Sequence, residues 1–543
     1  MPSKISILFF VTSFILCQNF AYDSDDWYIV KKPGPIYSIT EGPFKVYFGA
    51  ENGIFSYNVL DDSIEYDYEL NQGLDNDVMI VAIHHDSYSN QMWVATDRGV
   101  FYKNSIFTTF NQVSFNINFD IYNSYDISAI GSVDGHVILK YASDYIFIDS
   151  FSGSQVSTPP GFDLNNVSWS PCYYDYNLDN IDLSAYYADD WIIGFRMITD
   201  TYGNQESVIV YFEDSNMNFW FGTNGGKIIK GYKYSHKLEI YNIGPFSNNI
   251  TSLASNDQNW FLSSGKFIRS GIVNNFRYNK GAKPFISVWN EYDNSWEDIN
   301  EDMFYQLNNP DVNCIFNADD QFLVIGLMSG LLVVSMDDYK KYYFIEESNG
   351  LSSDSVFKVE YYNNQLFIMS ERGVSVYSLK SHFVIEKNIL NQINMEDSVM
   401  MDMFMDEGVL YLSTRDGLIR YDTNKREFDK VSDRAFRQIE VEDSKIYGLS
   451  NNVWVISPLN YDESILEFNS GYVRNFELSG DYIWLNSGEN LKLINIASKE
   501  EWVYDHNDGF LNIEIFDIQN DGDWICILTN NGLIFYNWSN YHY

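Results

Sequence analysis

The amino-acid sequence predicts an all-β protein, and three observations carry this prediction. Aromatic residues make up 17% of the chain, with 42 Tyr and 39 Phe, and aromatic side chains favour pleated, half-buried strands. Short apolar runs meet at glycine turns, as in residues 411–422, where Gly417 permits the positive φ of a tight hairpin. The same hairpin then recurs along the whole chain. We therefore expect repeated antiparallel sheets and almost no helix.

The hairpin returns at a nearly constant spacing. Gly330, Gly373 and Gly417 are 43 and 44 residues apart. An Asn-Gly-Leu loop precedes several copies, for example at 349–351. Each unit is thus a loop followed by three or four short strands, and a period of ~40–45 residues is typical of a four-stranded propeller blade. Clear copies of the hairpin lie at 48–57, 93–102, 220–226, 366–377 and 524–536.

The number of repeats predicts tandem β-propellers rather than one ring. About 520 residues at ~44 per blade give about 12 blades, whereas one ring usually holds four to eight. We expect about 12–14 four-stranded blades in two rings of six or seven, the first in residues 22–255 and the second in 256–543. The run Trp27–Val30 resembles the outer strands of other blades. It could close the last blade, whose own outer strand is missing.

The N-terminus, residues 1–21, has the pattern of a signal peptide. Lys4 supplies a basic start, and an almost unbroken apolar run extends to Cys17. No later run approaches the 18 apolar residues of a membrane span, so we expect no transmembrane segment. The expected destination is outside the cytoplasm: periplasmic, secreted or on the cell surface. A lipid anchor at Cys17 is the alternative to free release.

The charge of the chain excludes one class of partner. Asp and Glu number 75 against 34 Lys and Arg, giving a net charge of −41. Such a surface repels phosphate backbones and anionic headgroups, so nucleic acid is not an expected partner. High solubility is the plain explanation of this acidity.

No metal or cofactor motif is complete. An irregular Ca²⁺ site is the alternative to having no cofactor, because oxygen-bearing side chains recur within residues 175–182. Asn180 and Tyr186, however, stand where an EF-hand loop needs Gly and Glu. We therefore expect no cofactor. The oxygen-bearing side chains are Asp175, Asn177, Asp179 and Asp182.

Enzyme motifs are also missing. The chain has no nucleophile elbow, no His-Glu-x-x-His and no phosphate-binding glycine loop. His84 and His85 are adjacent on a strand and point to opposite faces, so they do not share a metal. We therefore expect a non-enzymatic binding protein, or a scaffold that only makes protein contacts. The alternative is a propeller-fold hydrolase or lyase acting on a glycan or peptide. A lyase predicts a His/Tyr/Arg cluster at a channel mouth, and a binder predicts an aromatic groove.

The loop and hairpin together resemble a known repeat. Residues 349–356 with 366–374, and 71–78 with 93–100, resemble the two-component-regulator propeller repeat. That repeat occurs in the periplasmic sensor half of hybrid histidine kinases and in free-standing exported proteins. The resemblance implies a β-propeller with a sensor-like or scaffold role, binding a glycan, peptide or protein.

The candidate binding surface lies where the repeat is lost. Residues 142–215 depart from the blade period, and within them aromatic residues cluster among carboxylates. Tyr and Trp offer apolar area together with hydrogen-bonding groups, as sugar-stacking and protein-binding surfaces do. The alternative is an irregular blade that buries these rings. The candidate residues are Trp169, Tyr173, Tyr174, Tyr176, Tyr186, Tyr187 and Trp191.

Overall fold

A computed structural model describes most of the chain after its first 25 residues. The predicted signal peptide lies outside the described residues. Those described are 26–74, 78–104, 109–115, 127–141, 144–172, 182–201, 203–264, 268–269, 272–273, 286–308, 312–370, 372–395, 398–468, 471–488, 490–505, 510 and 513–542.

Antiparallel strands dominate the described residues, which confirms the all-β prediction. β1 (Trp27–Val30) comes first, and the next nineteen strands form four sheets. Those strands are β2 (Ile36–Glu41), β3 (Lys45–Ala50), β4 (Gly53–Asn58), β5 (Ser63–Tyr66); β6 (Ile80–Asp86), β7 (Gln91–Thr96), β8 (Gly99–Asn104), β9 (Asn111–Gln112); β10 (Ile127–Val133), β11 (His136–Tyr141), β12 (Asp144–Asp149), β13 (Gln155–Val156), β14 (Ser168–Pro171); β15 (Ile192–Ile193), β16 (Met197–Thr199), β17 (Gln205–Glu213), β18 (Asn218–Thr223), β19 (Ile228–Tyr232) and β20 (Leu238–Tyr241).

From residue 252 onward the described strands form six four-stranded sheets, one two-stranded sheet and three strands of a further sheet, which β1 completes. They are β21 (Ser252–Ser255), β22 (Asn259–Ser263), β23 (Ile268–Arg269), β24 (Ile272–Val273), β25 (Ile286–Asn290), β26 (Ser295–Ile299); β27 (Val312–Ala318), β28 (Phe322–Leu327), β29 (Gly330–Ser335), β30 (Tyr342–Ile345); β31 (Val356–Tyr362), β32 (Gln365–Ser370), β33 (Gly373–Ser378), β34 (Phe383–Glu386); β35 (Met400–Asp406), β36 (Val409–Thr414), β37 (Gly417–Asp422), β38 (Glu427–Ser432); β39 (Gln438–Glu442), β40 (Lys445–Leu449), β41 (Val453–Ile456), β42 (Glu463–Ile465); β43 (Asn475–Ser479), β44 (Tyr482–Asn486), β45 (Leu491–Asn495), β46 (Glu501–Tyr504); β47 (Ile515–Asp521), β48 (Trp524–Thr529) and β49 (Gly532–Asn537).

Helices are short in the described part of the chain. The single α-helix there, α1 (Tyr68–Asn71), has Asp67 as its N-cap, since the Asp67 carboxylate accepts the amide of Leu70. None of these helices has the length and hydropathy that a membrane span needs. The 3-10 turns lie at Leu164–Asn166, Tyr305–Asn308, Glu347–Asn349, Ile389–Ile393 and Trp538–Asn540.

The C-terminal sheets form a closed ring of seven blades. The first strand of each blade contacts the first strand of the next, from β21 through β27, β31, β35, β39 and β43 to β47. Residues from all seven strands line one central cavity, and the Ile250 amide donates to the Thr529 carbonyl, which joins the last blade to the first. Apolar side chains fill the space between adjacent sheets, as in the cluster shared by β32, β33, β35 and β36.

The N-terminal strand completes the last blade of this ring. β1 pairs antiparallel with β49, with Trp27 opposite Tyr536 and Val30 opposite Leu533. The Trp27 ring stacks on Tyr536 with centroids 4.1 Å apart and meets the edge of Phe510 at 5.9 Å. The sheet order is therefore β1-β49-β48-β47, and the first strand of the chain is the outer strand of its last blade.

The N-terminal unit is a smaller ring of four sheets in the described residues. Its first strands β2, β6 and β10 contact one another in order, and β17 of the fourth sheet contacts β2. An extra strand, β14, pairs with β10 and also touches β2, β6 and β17. β14 therefore occupies the middle of this ring, where the larger ring keeps a channel.

The blades are divided less evenly between the rings than the six or seven each that we expected. The described residues give seven blades in one ring and four in the other. The difference arises because residues 168–199 add strands to existing sheets: β14 enlarges one sheet, and β15 and β16 another. The last described strand of the N-terminal unit ends at Tyr241, and the first strand of the seven-bladed ring begins at Ser252; the domain boundary at 255 stays a prediction.

The repeated loop and hairpin hold each other in place. In the hairpin at residues 409–422, Gly417 has φ 129° and its carbonyl accepts the Thr414 hydroxyl at 3.0 Å. In the preceding loop of another blade, Gly350 has φ 111°, which directs Leu351 into the core. The amide of Ser352 then donates to the Ser375 hydroxyl of the hairpin at 2.9 Å. The two sequence signatures recur together because they pack on one another.

A buried histidine network fixes β14 in the middle of the small ring. His84 is 2% exposed, and its Nδ1 and Nε2 lie 2.8 and 2.9 Å from the hydroxyls of Ser170 and Ser132. The Ser170 hydroxyl donates in turn to Thr40 Oγ1 at 2.7 Å. Burial lowers the pKa of His84 to about 4, with Asp86 opposing the shift and His85 adding to it. His84 is therefore a neutral packing residue at pH 7.

We expect acid to destabilise this network. The unfolded chain takes up a proton at His84 near pH 6.5, whereas the folded chain does so only near pH 4. The stabilising contribution is intact above pH 6.5 and is lost as the pH falls toward 4, by roughly 3 kcal/mol. Urea unfolding of the wild type and His84→Gln, near pH 7.5 and near pH 4.5, measures this. The acid-induced loss should be roughly 2–3 kcal/mol smaller in the variant; equal losses would contradict the assignment.

Candidate functional site

The first candidate site is the channel of the seven-bladed ring. It encloses about 660 Å³ and is lined by the first strands of all seven blades. Six carboxylates and one lysine lie along it, so it is strongly acidic. The charged lining residues are Lys358, Glu360, Asp402, Glu440, Glu442, Glu477 and Asp517.

The channel carboxylates bind the backbone of the neighbouring blade. Adjacent first strands share no hydrogen-bond ladder, so their inward amides need other partners. Glu440 Oε2 accepts the amide of Leu478 at 2.9 Å, and Glu442 Oε1 accepts that of Gly480 at 2.9 Å. Other blades repeat the pattern: Asp402 Oδ2 accepts the amide of Ile439 at 2.9 Å. These carboxylates thus join blade to blade.

The amide side chain of Gln438 binds the neighbouring blade much as a paired β-strand would. The Gln438 side chain accepts the amide of Phe476 at 3.0 Å and donates to the carbonyl of Phe476 at 2.5 Å. Its Nε2 also lies 2.5 Å from Glu440 Oε1. Gln438 and Glu440 therefore act together as a side-chain substitute for the missing ladder between β39 and β43.

Lys358 is the one basic residue among the described lining residues of the channel. Its Nζ lies 2.9 Å from Asp402 Oδ1 and 3.7 Å from Glu360 Oε1. Burial raises the pKa of Glu360 to about 7, with Lys358 opposing the shift and Asp402 adding to it. None of the described lining residues is His, Tyr or Arg. A His/Tyr/Arg cluster of the kind expected for a lyase is therefore not among these lining residues.

The second candidate site is an aromatic cleft where the last blade meets the first. Its volume is about 550 Å³, and we call it the aromatic cleft. β1, β48 and β49 supply aromatic side chains from the last blade, whereas β22 and β25 supply them from the first. The blade that closes the propeller contains both ends of the chain, and it forms one side of the cleft. Its lining residues are Trp27, Tyr28, Trp260, Trp289, Glu291, Asn294, Asp521, Trp524 and Phe535.

Stacked rings form the wall of the aromatic cleft. Tyr28 stacks on Trp289 with centroids 5.6 Å apart and planes at 11°, and Trp289 stacks on Trp296 at 5.8 Å. Trp260 meets the face of Phe535 edge-on at 4.9 Å. Trp289 is buried, whereas Tyr28 and Trp260 are half-buried. The wall is thus rigid at its base and accessible at its surface.

Hydrogen bonds fix the turn that carries Glu291. Trp260 Nε1 donates to Glu291 Oε2 at 3.2 Å, and Trp289 Nε1 donates to Asn294 Oδ1 at 3.0 Å. The Asn294 side chain also donates to the carbonyl of Ile64 in the small ring at 3.1 Å. The turn at 291–294 is therefore held by hydrogen bonds from both propeller rings.

The polar edge of the aromatic cleft carries negative charge. Burial raises the pKa of Tyr28 to about 12, helped by the charges of Glu65 and Glu291. Burial also raises the pKa of the Asp521 carboxyl, with Glu291 as the second cause. Among the described residues, neither Glu291 nor Asp521 forms an ion pair with Lys, Arg or His.

The aromatic residues predicted from sequence are divided between two sheets. Trp169 lies on β14, half-buried, with its ring 6.1 Å from that of Tyr145. Tyr186 and Trp191 both pack against the core of the sheet that contains β18 and β19. Tyr187 is 57% exposed. Tyr173, Tyr174 and Tyr176 lie outside the described residues, so the binding role of this segment stays a prediction.

The calcium alternative also falls mostly outside the described residues. Asp175, Asn177 and Asp179 are not among them. The carboxylate of Asp182 accepts the amide and hydroxyl of Ser184 at 2.8 and 2.5 Å. In the described part of the chain, no group of three His, Cys, Asp or Glu side chains is arranged to hold a metal ion. A Ca²⁺ site within 175–182 remains a prediction.

Comparison with known proteins gives structural matches without sequence matches. No protein-family model and no curated protein matches this sequence. The structure of PorZ, an essential bacterial surface component of the type-IX secretion system of Porphyromonas gingivalis, matches with a TM-score of 0.55 and 10% identity, over 94% of this chain and 87% of that one. This match shows a shared fold.

Two extracellular-domain structures from B. thetaiotaomicron match with lower TM-scores. The extracellular domain of the hybrid two component system BT4673 has a TM-score of 0.43 and 12% identity, over 92% of this chain and 70% of that one. The corresponding domain of BT3049 has a TM-score of 0.42 and 15% identity, over 94% of this chain and 83% of that one.

Proposed function

We propose that this chain is an exported, non-enzymatic binding protein that holds a ligand or protein partner in the aromatic cleft. The observation that carries the proposal is the lining of that cleft. Six aromatic side chains and three polar ones surround about 550 Å³. Rings that are partly exposed in a rigid wall supply contact area at little entropic cost, which is typical of recognition sites.

The sequence supports export of the protein and indicates the class of its partner. The signal-peptide pattern of residues 1–21 supports a periplasmic, secreted or surface location. The partner is a glycan, a peptide or a protein, and the net charge of −41 disfavours nucleic acid. The resemblance to the two-component-regulator propeller repeat supports a sensor-like or scaffold role.

The alternative, a propeller-fold hydrolase or lyase, finds less support. Its natural site is the channel, where general acids and bases would have to face a substrate. Asp402, Glu440 and Glu442 instead accept backbone amides of the next blade. A carboxylate that joins two blades is not available to exchange protons with a substrate. At least three of the six channel carboxylates therefore have a structural role, which supports the aromatic cleft as the recognition site.

Arrays of glycans and of peptides test this proposal with the secreted form, residues 22–543. We expect at least one class of ligand that the wild type binds and Trp260→Ala loses. Trp454→Ala is the matched control, because Trp454 is also half-buried on a blade but lies outside the cleft. Should Trp260→Ala unfold, Trp524→Ala repeats the test. Ligands that all of these variants retain would refute the cleft as the binding site.

A further inference from the structure

The charges around the aromatic cleft restrict the class of ligand that it can bind. Glu291 and Asp521 both line the cleft, and both are exposed. Neither of them forms an ion pair within the described residues. Glu65 lies near Tyr28 as well, but its Oε1 is 3.7 Å from Lys45 Nζ and its charge is therefore compensated. Two carboxylates beside one group of aromatic rings, neither of them in an ion pair within the described residues, create a negative potential that a positive ligand would relieve.

The rings favour the same class of ligand. The faces of Trp and Tyr carry negative charge density and attract ammonium or guanidinium groups, more strongly where water is excluded. An anionic ligand is opposed by the carboxylates. A neutral sugar would stack on the rings and donate hydroxyl hydrogen bonds to the carboxylates, but it would not neutralise the charges of Glu291 and Asp521. An organic cation satisfies both features at once.

We propose that the aromatic cleft binds a lysine or arginine side chain presented by an extended segment of a partner polypeptide. The volume of about 550 Å³ exceeds that of one such side chain and leaves room for its flanking residues. The net charge of −41 would steer a basic segment toward this surface. The inference rests on the proposed function, because it names the ligand of that same site.

Isothermal titration calorimetry with four capped decapeptides tests the proposal. One carries lysines, one arginines, and their neutral counterparts carry glutamine and citrulline. We expect the lysine or arginine peptide to bind, and each neutral counterpart to bind at least tenfold more weakly. Choline chloride is the fifth probe, and binding of choline without binding of either basic peptide would overturn the assignment to a polypeptide.

Paired variants separate the cleft from general attraction to an acidic protein. Glu291→Gln/Asp521→Asn removes the cleft charges, and Glu291→Gln keeps an acceptor for Trp260 Nε1. Glu467→Gln/Glu500→Gln removes the same charge from exposed positions on other blades. We expect a tenfold or greater loss of affinity for the first pair and less than a twofold loss for the second. Equal losses would overturn the proposal.

The two proposals fail in different ways. If Trp260→Ala loses a neutral glycan while no basic peptide binds the wild type, the cleft is the binding site and the cationic ligand is wrong. If basic peptides bind equally well to Trp260→Ala and to the wild type, both proposals are wrong.

Discussion

Deletion of residues 26–31 should destabilise the seven-bladed ring more than any single substitution. It removes β1, which leaves β49 as an unpaired edge and exposes the cluster in which Trp27 packs. It also removes Asp26, whose carboxylate accepts the side chain of Asn540 at 2.8 Å. Loss of a buried Trp side chain alone costs about 3–5 kcal/mol. We expect the melting temperature to fall by roughly 10 °C.

Two substitutions make this result specific. Trp27→Ala should lower the free energy of unfolding in urea by about 3–5 kcal/mol, because it removes the ring that stacks on Tyr536. Tyr305→Ala is the control, since Tyr305 is 79% exposed, and should change stability by less than about 0.5 kcal/mol. A deletion that melts at the wild-type temperature would show that β1 does not close the ring.

The second large effect concerns the junction between β39 and β43. Replacing Gln438 and Glu440 together by Ala leaves the buried backbone groups of Phe476 and the amide of Leu478 without their partners. Each buried unsatisfied group costs about 1–3 kcal/mol. We expect the double variant to lose about 3–5 kcal/mol of unfolding free energy in urea.

The control and a conservative variant define what these side chains do. Glu467→Ala removes an exposed carboxylate and should cost less than about 0.5 kcal/mol. Glu440→Gln keeps an acceptor for the amide of Leu478 and should cost only about 1 kcal/mol. A double variant as stable as the wild type would mean that the channel carboxylates are free for another role.

The repeat was readable from sequence because each blade is local. Gly417 and the Asn-Gly-Leu loop at 349–351 encode turns whose geometry is set within a few residues. The aromatic and β-branched runs between them define strands by composition alone. The sequence therefore predicted the all-β fold and four-stranded blades. It did not predict four blades in one ring and seven in the other, because added strands such as β14 pair with sheets already complete.

The aromatic cleft was not predicted, because its residues are far apart in the chain. Tyr28 and Trp524 lie at opposite ends, and only the pairing of β1 with β49 brings them together. Trp260 and Trp289 face each other across β22 and β25, but an insertion of more than twenty residues separates them. The local signal was the Trp in the hairpins that begin at Trp260 and Trp524. The densest aromatic cluster in the sequence lies elsewhere, at 169–191, and its described members divide between two sheets.

Hydrogen–deuterium exchange over the whole chain tests the central claim, that recognition occurs at the aromatic cleft. The ligand used is any array hit or basic peptide that the wild type binds, at saturating concentration. We predict slower exchange in β1, in the turn at 291–294 and in the turn between β47 and β48, with the first strands around the channel unchanged. Protection confined to the channel strands, or to residues 169–191, would contradict the account.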